Sequence, residues 1–293
     1  MDKSINIKRL VIYLVLAFAM TWAFEFAFIF NGFKWDLTDT ASVSMISLGM
    51  LFPAIAHILT RAITKEGFKP AGKDSMMLGI NLEDGRWKLF LFAILIPVFY
   101  SAAGDGLYCL LKPGAFDPSA LNDAGMSNSM ALIFPVNAVS SGVFVSFAAF
   151  GEEFGWRAYM MPKLNRLMGK YPALIVGGVI WGLWHAPLTC VGHNFGMDYP
   201  GFPYGGIVLM CVYCILLGAI LTFVTEKTGS VWPAAFLHGV NNASPSFLSA
   251  FVKTDDPGAG IYLLFMCVLI PLLAVAVICY VWRGRRNLNC KTM

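Results

Sequence analysis

Residues 204–225, YGGIVLMCVYCILLGAILTFVT, contain no charged side chain. A helix of roughly 20 apolar residues is long enough to cross the hydrocarbon core of a bilayer. The rest of the 293-residue chain has a similar character, with 58% hydrophobic and 13% charged residues, whereas soluble domains carry roughly a quarter charged residues. This composition predicts a polytopic membrane protein, because too little polar surface is present to coat a water-soluble particle.

Eight stretches are long and apolar enough to be spanning helices. They are 10–30, 42–63, 89–111, 130–152 with an extension, 172–190, 204–225, 230–251 and 261–282. These runs are apolar throughout rather than alternating, which favours helices over the strands of a membrane barrel. The predicted fold is all-α: one integral membrane domain over residues 1–293, built as a bundle of about eight transmembrane helices.

The distribution of basic residues predicts the orientation of the bundle. Seventeen of the 21 Lys and Arg residues lie on the two termini and on the even-numbered connections, whereas Lys34, Lys112 and Lys253 lie on the others. The positive-inside rule therefore places both termini in the cytoplasm. The expected location is a membrane crossed many times, the cell membrane in a prokaryote. No long basic run is present, so the net charge of +4 gives no support to nucleic-acid binding.

Polar side chains within the spans are candidates for function, because an ionised group at the bilayer centre costs at least ~2.5–3.5 kcal/mol. The candidates are Glu25, His57, Asp105, Glu152, Glu153, Arg157, His185, His238, Asn241 and Asn242.

The densest group is the sequence GEEFGWR at 151–157. Adjacent helical residues point about 100° apart, whereas Glu153 and Arg157 are four apart and share a face. The spacing predicts an ion pair between them that leaves Glu152 free as a general base. Gly151 and Gly155 are spaced for the close approach of another helix. The same residues would also fit a solvated ion-pair cluster at the membrane surface.

Two further groups lie on later helices. In the sequence WGLWHAP at 181–187, Pro187 frees backbone groups and could open space for water beside His185. His238 and Asn242 are four apart, so they share a face that could hold a water molecule, an ion or an oxyanion. A core histidine bonded to a backbone carbonyl and a polar contact between helices are the alternative interpretations.

Helix rise indicates whether these groups can meet. At ~1.5 Å per residue from the cytoplasmic ends, His238 lies roughly 12 Å deep, Asn242 roughly 18 Å and His185 roughly 20 Å. Glu152 reaches a comparable depth of roughly 15 Å only if the fourth helix continues to Pro162. The apolar residues before that proline predict such a continuation.

Three motifs now follow one another: Glu-Glu-x-x-x-Arg at 152–157, aromatic-x-x-x-His at 181–185 and His-x-x-x-Asn at 238–242. In this order they resemble the CPBP intramembrane protease family, which includes the type II CaaX prenyl endopeptidases and bacteriocin-processing or bacteriocin-immunity proteins. The predicted eight helices are also similar to the CaaX members. Trp181 stands where many members carry Phe, which we interpret as a conservative change for packing. The resemblance places a catalytic core within 130–251.

The resemblance implies hydrolysis of a peptide bond at or within the membrane, with Glu152 activating a water molecule. Glu153 and Arg157 would support this base, the two histidines would orient the water or bind a metal, and the amide would stabilise the oxyanion. Whether zinc or another divalent cation binds through His185 and His238 stays open. The implied catalytic residues are Glu152, Glu153, Arg157, His185, His238 and Asn242.

The expected partners are the lipid bilayer and a membrane-associated peptide or protein substrate, whose lipidation the sequence leaves open. Two other functions fit as alternatives. One is a catalytically silent membrane scaffold or bacteriocin-immunity protein with the same fold. The other is a proton-coupled transporter using Glu25, His57 and Asp105, although the paired broken helices typical of such folds are absent. These three side chains would equally fit polar contacts between helices.

Overall fold

A computed structural model describes residues 3–33, 39–72, 74–119, 133–199, 201–243 and 251–253, together with Leu272 and Val275. In this part of the chain every regular element is a helix, and one isolated antiparallel bridge joins Phe116 to Val252. The all-α prediction is therefore confirmed. Apart from Leu272 and Val275, the predicted eighth span at 261–282 lies outside the described residues.

The helices follow the predicted spans. The first four are α1 (Lys3–Phe30), α2 (Thr40–Gly49), α3 (Phe52–Ile63) and α4 (Trp87–Leu111). The others are α5 (Ile133–Gly155), a π-helical turn (Trp156–Met160), α6 (Met161–Met168), α7 (Lys170–Trp184), α8 (Ala186–Thr189), α9 (Tyr204–Thr228) and α10 (Trp232–Ala243). Among the described residues, four segments are long and apolar enough to cross a membrane: α1, α2 with α3, α4, and α9.

Two predicted spans are interrupted, each beside a proline. The second span divides between α2 and α3, where Pro53 lies in the first turn of α3. The fifth divides at His185, and Pro187 lies in the first turn of α8. A proline lacks the N–H for helical bonding and its ring clashes with the carbonyl four residues earlier, so the preceding helix ends.

The fourth span continues past its carboxylates, as predicted. A π-helical turn follows Gly155, and α6 then begins with Pro162 in its first turn and ends at Met168. Glu152 therefore lies inside a long helical segment rather than at its end. π-Helical turns are rare and are found frequently at functional sites.

Close helix contact at Gly151 and Gly155 is also confirmed. A Cβ atom built on Gly151 would lie 2.5 Å from the carbonyl oxygen of Met50, and one on Gly155 would lie 2.6 Å from Cβ of Pro53. These distances leave no room for a side chain. The junction between α2 and α3 therefore packs directly on the backbone that carries the two glutamates.

The connection between α3 and α4 carries Glu66, which binds the π-helical turn and α6. Its Oε2 accepts a hydrogen bond of 2.9 Å from the Tyr159 hydroxyl, and its Oε1 accepts one of 2.9 Å from Nζ of Lys163. Arg9 on α1 lies 3.5 Å from Oε2. Burial acts to raise the pKa of Glu66, but the hydrogen bonds from Lys163 and Tyr159 outweigh it and leave the pKa below its usual range.

This arrangement predicts acid-sensitive stability. A carboxylate with a lowered folded-state pKa stabilises the fold above its unfolded pKa of about 4.3, and this contribution is lost as the pH falls through the folded-state value. We expect wild type to unfold at a higher temperature than Glu66→Gln in detergent at pH 6. The difference should shrink steadily below pH 4. A constant difference from pH 6 to pH 3 would contradict the prediction.

Candidate active site

The indole ring of Trp181 on α7 lies at the centre of the site. Its Nε1 donates a hydrogen bond of 2.7 Å to Oε2 of Glu152. Ring centroids of His238 and His185 lie 5.4 and 5.9 Å from the indole, and the Arg157 guanidinium lies over its face at 4.1 Å. Four polar side chains from three separate motifs therefore contact one aromatic residue.

Glu153 joins α5 to α10. Its Oε1 lies 2.7 Å from Nδ1 of His238, and its Oε2 lies 3.2 Å from Nε of Arg157. All three side chains are buried. The predicted ion pair between Glu153 and Arg157 is confirmed, although its atoms are not aligned for a hydrogen bond. Removing one member of a buried pair leaves an uncompensated charge, which is strongly destabilising.

Glu152 differs from the sequence expectation of a free carboxylate. One of its oxygens is held by the Trp181 indole, so the side chain has a fixed orientation. In the described part of the chain its second oxygen, Oε1, accepts no hydrogen bond. The carboxylate therefore has one oxygen held by Trp181 and one that bonds to no group of the described residues.

His185 owes its orientation to the end of α7. Its backbone N–H bonds to Gly182, three residues back, rather than to Trp181, four residues back. The Trp181 carbonyl accepts instead from Nδ1 of the His185 ring at 2.8 Å. One ring nitrogen thus has the backbone partner that the alternative interpretation predicted. Because a carbonyl can only accept, the proton lies on Nδ1 and Nε2 is an acceptor.

Asn242 bonds to the neighbouring amide of Asn241. Its side chain is exposed, and its Oδ1 accepts a hydrogen bond of 3.3 Å from Nδ2 of Asn241. Oδ1 of Asn241 in turn accepts hydrogen bonds from the hydroxyls of Tyr100 and Tyr213, the latter at 3.0 Å. The amide side chain that fixes α10 to α4 and α9 is therefore Asn241. The role of Asn242 stays a prediction.

The donor atoms of the site are chemically suited to a metal, but their spacing is not. In the described residues, Nε2 of His185, Nε2 of His238 and Oε1 of Glu152 make no hydrogen bond, and each group is held from behind as metal ligands commonly are. No three His, Cys, Asp or Glu side chains within the described ranges lie close enough to hold one ion together. The chemistry below is therefore derived from protein groups.

Glu25, His57 and Asp105 are all buried. Among the described residues Oε2 of Glu25 has no hydrogen-bond partner, and its carboxylate lies near enough to interact with the charge of Glu152. His57 bonds to the backbone of α5 at Phe154. The transporter alternative, which groups the three into one pathway, stays a prediction.

Sequence reasoning missed Trp181 as a polar member of the site. Its replacement of Phe was interpreted as a packing change, yet only Trp can donate a hydrogen bond to Glu152. A signal was present, because a Trp buried in an apolar helix generally needs a partner for its N–H group. That signal does not identify the partner, which is 29 residues away.

A comparison with known protein families finds a match in the part of the chain that carries the three motifs. A family model described as Type II CAAX prenyl endopeptidase Rce1-like covers residues 134–244, which include all three motifs. Over this region, which is less than half of its length, the chain is similar to the CAAX protease family. The resemblance predicted from the motifs is therefore confirmed. This match and the four apolar helices of the described residues together show an integral multi-pass membrane protein.

Two curated relatives match parts of the chain. CAAX prenyl protease 2 of Methanococcus maripaludis is 27% identical over 126 residues, which cover 42% of this chain and 46% of that protein. Lysostaphin resistance protein A of Staphylococcus haemolyticus is 26% identical over 110 residues, which cover 38% of this chain and 26% of that protein. The matched region thus spans less than half of either relative.

Replacing Trp181 by Phe should lower the turnover number of any reaction that uses Glu152 by on the order of tenfold. A hydrogen bond to a charged group contributes about 1.5–3 kcal/mol, and Phe keeps the ring while removing the donor that orients Glu152. The matched control is Trp22→Phe, which removes an indole bond to the Trp184 carbonyl on another helix. Equal effects of both changes on the turnover number would contradict a specific role for the bond to Glu152.

Proposed function

We propose that this protein is an intramembrane endopeptidase that hydrolyses a peptide bond with water activated by Glu152. The observation that carries the proposal is the orientation of Glu152. One oxygen is fixed by Trp181 at 2.7 Å, and the other is available to a water molecule. A positioned carboxylate of this kind suits a general base, which contributes typically 10²–10⁴-fold to a reaction rate.

The hydrolysis balances with residues of this chain. Glu152 takes a proton from water as the oxygen attacks the carbonyl carbon, and it passes that proton to the leaving amine as the C–N bond breaks. His185 can accept the second hydrogen of the water at Nε2, because its Nδ1 proton is engaged with the Trp181 carbonyl. This second contact would fix the direction of attack.

His238 is suited to stabilise the negative charge that develops on the carbonyl oxygen. Glu153 holds its Nδ1 at 2.7 Å, which favours the imidazolium. The imidazolium presents Nε2–H to the oxyanion, and such a preorganised donor stabilises the charged transition state. Arg157 lies beside Glu153 and offsets part of the local negative charge. The Asn242 amide, aligned through its contact with Asn241, would supply a second donor.

The substrate class we propose is a membrane-associated peptide or protein, lipidated in the manner of a CAAX substrate. The name of the relative from Methanococcus maripaludis, CAAX prenyl protease 2, supports this class. The location of the site among apolar helices supports it as well, because a lipid chain would hold the scissile bond at the membrane. We propose no resident metal for the reaction.

We further propose the arrangement in the membrane. About eight helices span the bilayer with both termini in the cytoplasm, residues 1–293 form one domain, and 130–251 is its catalytic core. The support is the excess of basic residues on the segments assigned to the cytoplasm. Reporter fusions at Lys112 and after Met293 should report opposite sides of the membrane.

The function is tested with two peptides of one sequence that end in a CAAX box, one prenylated and one not. Purified protein in lipid vesicles should cleave the prenylated peptide faster, and product masses identify the bond. Comparative membrane proteomics of cells with wild type or Glu152→Ala should then identify a protein whose terminus changes. Failure of folded wild type to cleave either peptide, together with unchanged termini in cells, would contradict the proposal.

A catalytically silent scaffold is the second candidate, favoured by the match to Lysostaphin resistance protein A. The two functions are separated by the cellular phenotype of folded Glu152→Gln and His185→Ala variants. A scaffold should retain its phenotype in both variants, whereas a protease should lose it in both.

A further inference from the structure

His57 on α3 is fully buried, and both of its ring nitrogens are occupied. Nε of Arg61 lies 2.7 Å from its Nε2, and the Phe154 carbonyl lies 2.8 Å from its Nδ1. A guanidinium donates and a carbonyl accepts, so the ring is a neutral tautomer with its proton on Nδ1. The rings of Phe154 and Tyr159 lie 4.3 and 4.5 Å away. His57 therefore has a single orientation, in which it donates to α5.

The acceptor of this bond occupies a specific place in the motif helix. Phe154 follows Glu153 directly, and only Gly155 separates it from the π-helical turn, which begins at Trp156. Near this residue the backbone hydrogen bonds change from the α-helical spacing of four residues to the π-helical spacing of five. The direction of the helix therefore depends on the partners of the carbonyl groups at this junction. A displacement of the Phe154 carbonyl would move Glu153, the residue that holds His238.

Arg61 extends the contact into the connection between α3 and α4. Its Nη1 donates to the Gly67 carbonyl at 2.7 Å and its Nη2 donates to the Ser75 carbonyl at 2.9 Å. Both groups of the guanidinium are thus used to order the chain after α3. We refer to residues 66–72 and 74–78 of this connection as the clasp.

The far end of the clasp binds the start of α10. The Met77 carbonyl accepts a hydrogen bond of 2.9 Å from the Val231 amide, and the Leu78 carbonyl accepts one of 3.1 Å from Nε1 of Trp232. Met77 has a φ of 56°, which a residue with a side chain rarely adopts. Its N–H bonds to Oγ of Ser75 at 3.1 Å, which helps to hold this conformation.

We propose that His57 is a positioning residue: with Arg61 and the clasp it sets the relative position of the helices that carry Glu153 and His238. The inference rests on the proposed proteolysis for its catalytic consequence. His57 acts on α5 through the Phe154 carbonyl, and the clasp acts on α10 through Met77 and Leu78. The 2.7 Å contact between Glu153 and His238 therefore depends on both the bond from His57 to α5 and the bonds from the clasp to α10.

Three substitutions of His57 separate the two hydrogen bonds. Asn places an N–H group near the former Nδ1 and keeps the bond to Phe154. Gln places an oxygen near the former Nε2 and keeps only the bond from Arg61, and Leu keeps neither. We expect Leu and Gln to lower the turnover number for proteolysis by about 10–100-fold with KM changed less than twofold, and Asn to retain activity within about threefold. Lys69→Ala changes an exposed side chain that makes none of these hydrogen bonds, and it is the control with unchanged activity.

A second measurement does not depend on proteolysis. Hydrogen exchange at the Val231 amide, which the Met77 carbonyl protects, should be faster in His57→Gln and His57→Leu and unchanged in His57→Asn and Lys69→Ala. Wild type without protease activity but with this exchange pattern would contradict only the proposed function. Equal turnover numbers and equal exchange rates for Asn, Gln and Leu, at equal unfolding temperatures, would overturn the positioning role.

Discussion

Glu152→Gln should abolish peptide hydrolysis, lowering the turnover number by at least about 10³-fold, within the range that general base catalysis contributes. The amide has the same shape as the carboxylate, and its oxygen can still accept the 2.7 Å hydrogen bond from Trp181. It cannot take a proton from water. The loss should therefore occur without a lower unfolding temperature, which is measured in the same detergent as the cleavage rate.

Glu25→Gln is the matched control for this substitution. Glu25 is also a buried glutamate on α1, and its Oε2 bonds to nothing in the part of the chain that the structure describes. The same chemical change there should leave the turnover number within about tenfold of wild type. If Glu25→Gln abolished hydrolysis and Glu152→Gln did not, the general base would be the carboxylate on α1 and the mechanism above would be wrong.

Gly239→Ala should destabilise the protein and lower its activity. A Cβ atom at Gly239 would lie 2.5 Å from both the Gly142 carbonyl oxygen and the Ser146 backbone nitrogen on α5. Backbone atoms cannot rotate away, so α5 and α10 must separate. Overpacking typically costs about 1–3 kcal/mol, and the separation should also lower activity because His238 directly precedes Gly239. The unfolding temperature and the cleavage rate should both decrease.

Gly49→Ala is the matched control for this helix contact. Gly49 lies at the end of α2, and a Cβ atom there would meet nothing within 4 Å. Alanine in a helix is favoured over glycine by roughly 0.5–1 kcal/mol, so the unfolding temperature should stay constant or rise. A Gly239→Ala variant as stable as Gly49→Ala would show that α5 and α10 do not need this close contact.

Several features of the site follow from periodicity within single helices. The ion pair of Glu153 with Arg157 is predictable because residues four apart on a helix are neighbours. The close contacts at Gly151 and Gly155 follow from the same spacing. The continuation of the helix beyond Gly155 was predictable from its apolar residues, although the π-helical form of the next turn was not. Each of these predictions uses only neighbours in the sequence.

The amino-acid sequence by itself determined the all-α membrane class, the order of the helices, the resemblance to CAAX proteases and the short set of polar residues that carry the motifs. These residues could be identified because charged side chains are rare in the spans. A charged group in lipid is energetically costly, so its presence there indicates a function. The tertiary structure alone decided which partners on other helices they contact.

Trp181 bonds to Glu152, 29 residues away in the sequence, and His57 bonds to Phe154, 97 residues away. The hydroxyl of Tyr100 donates to Asn241, 141 residues away, rather than to Asn242. Helix periodicity gives the direction of a side chain around its own axis, but not which neighbouring helix lies in that direction. Those partners are set by the packing of glycine-lined helix surfaces, and that packing exists only in the folded bundle.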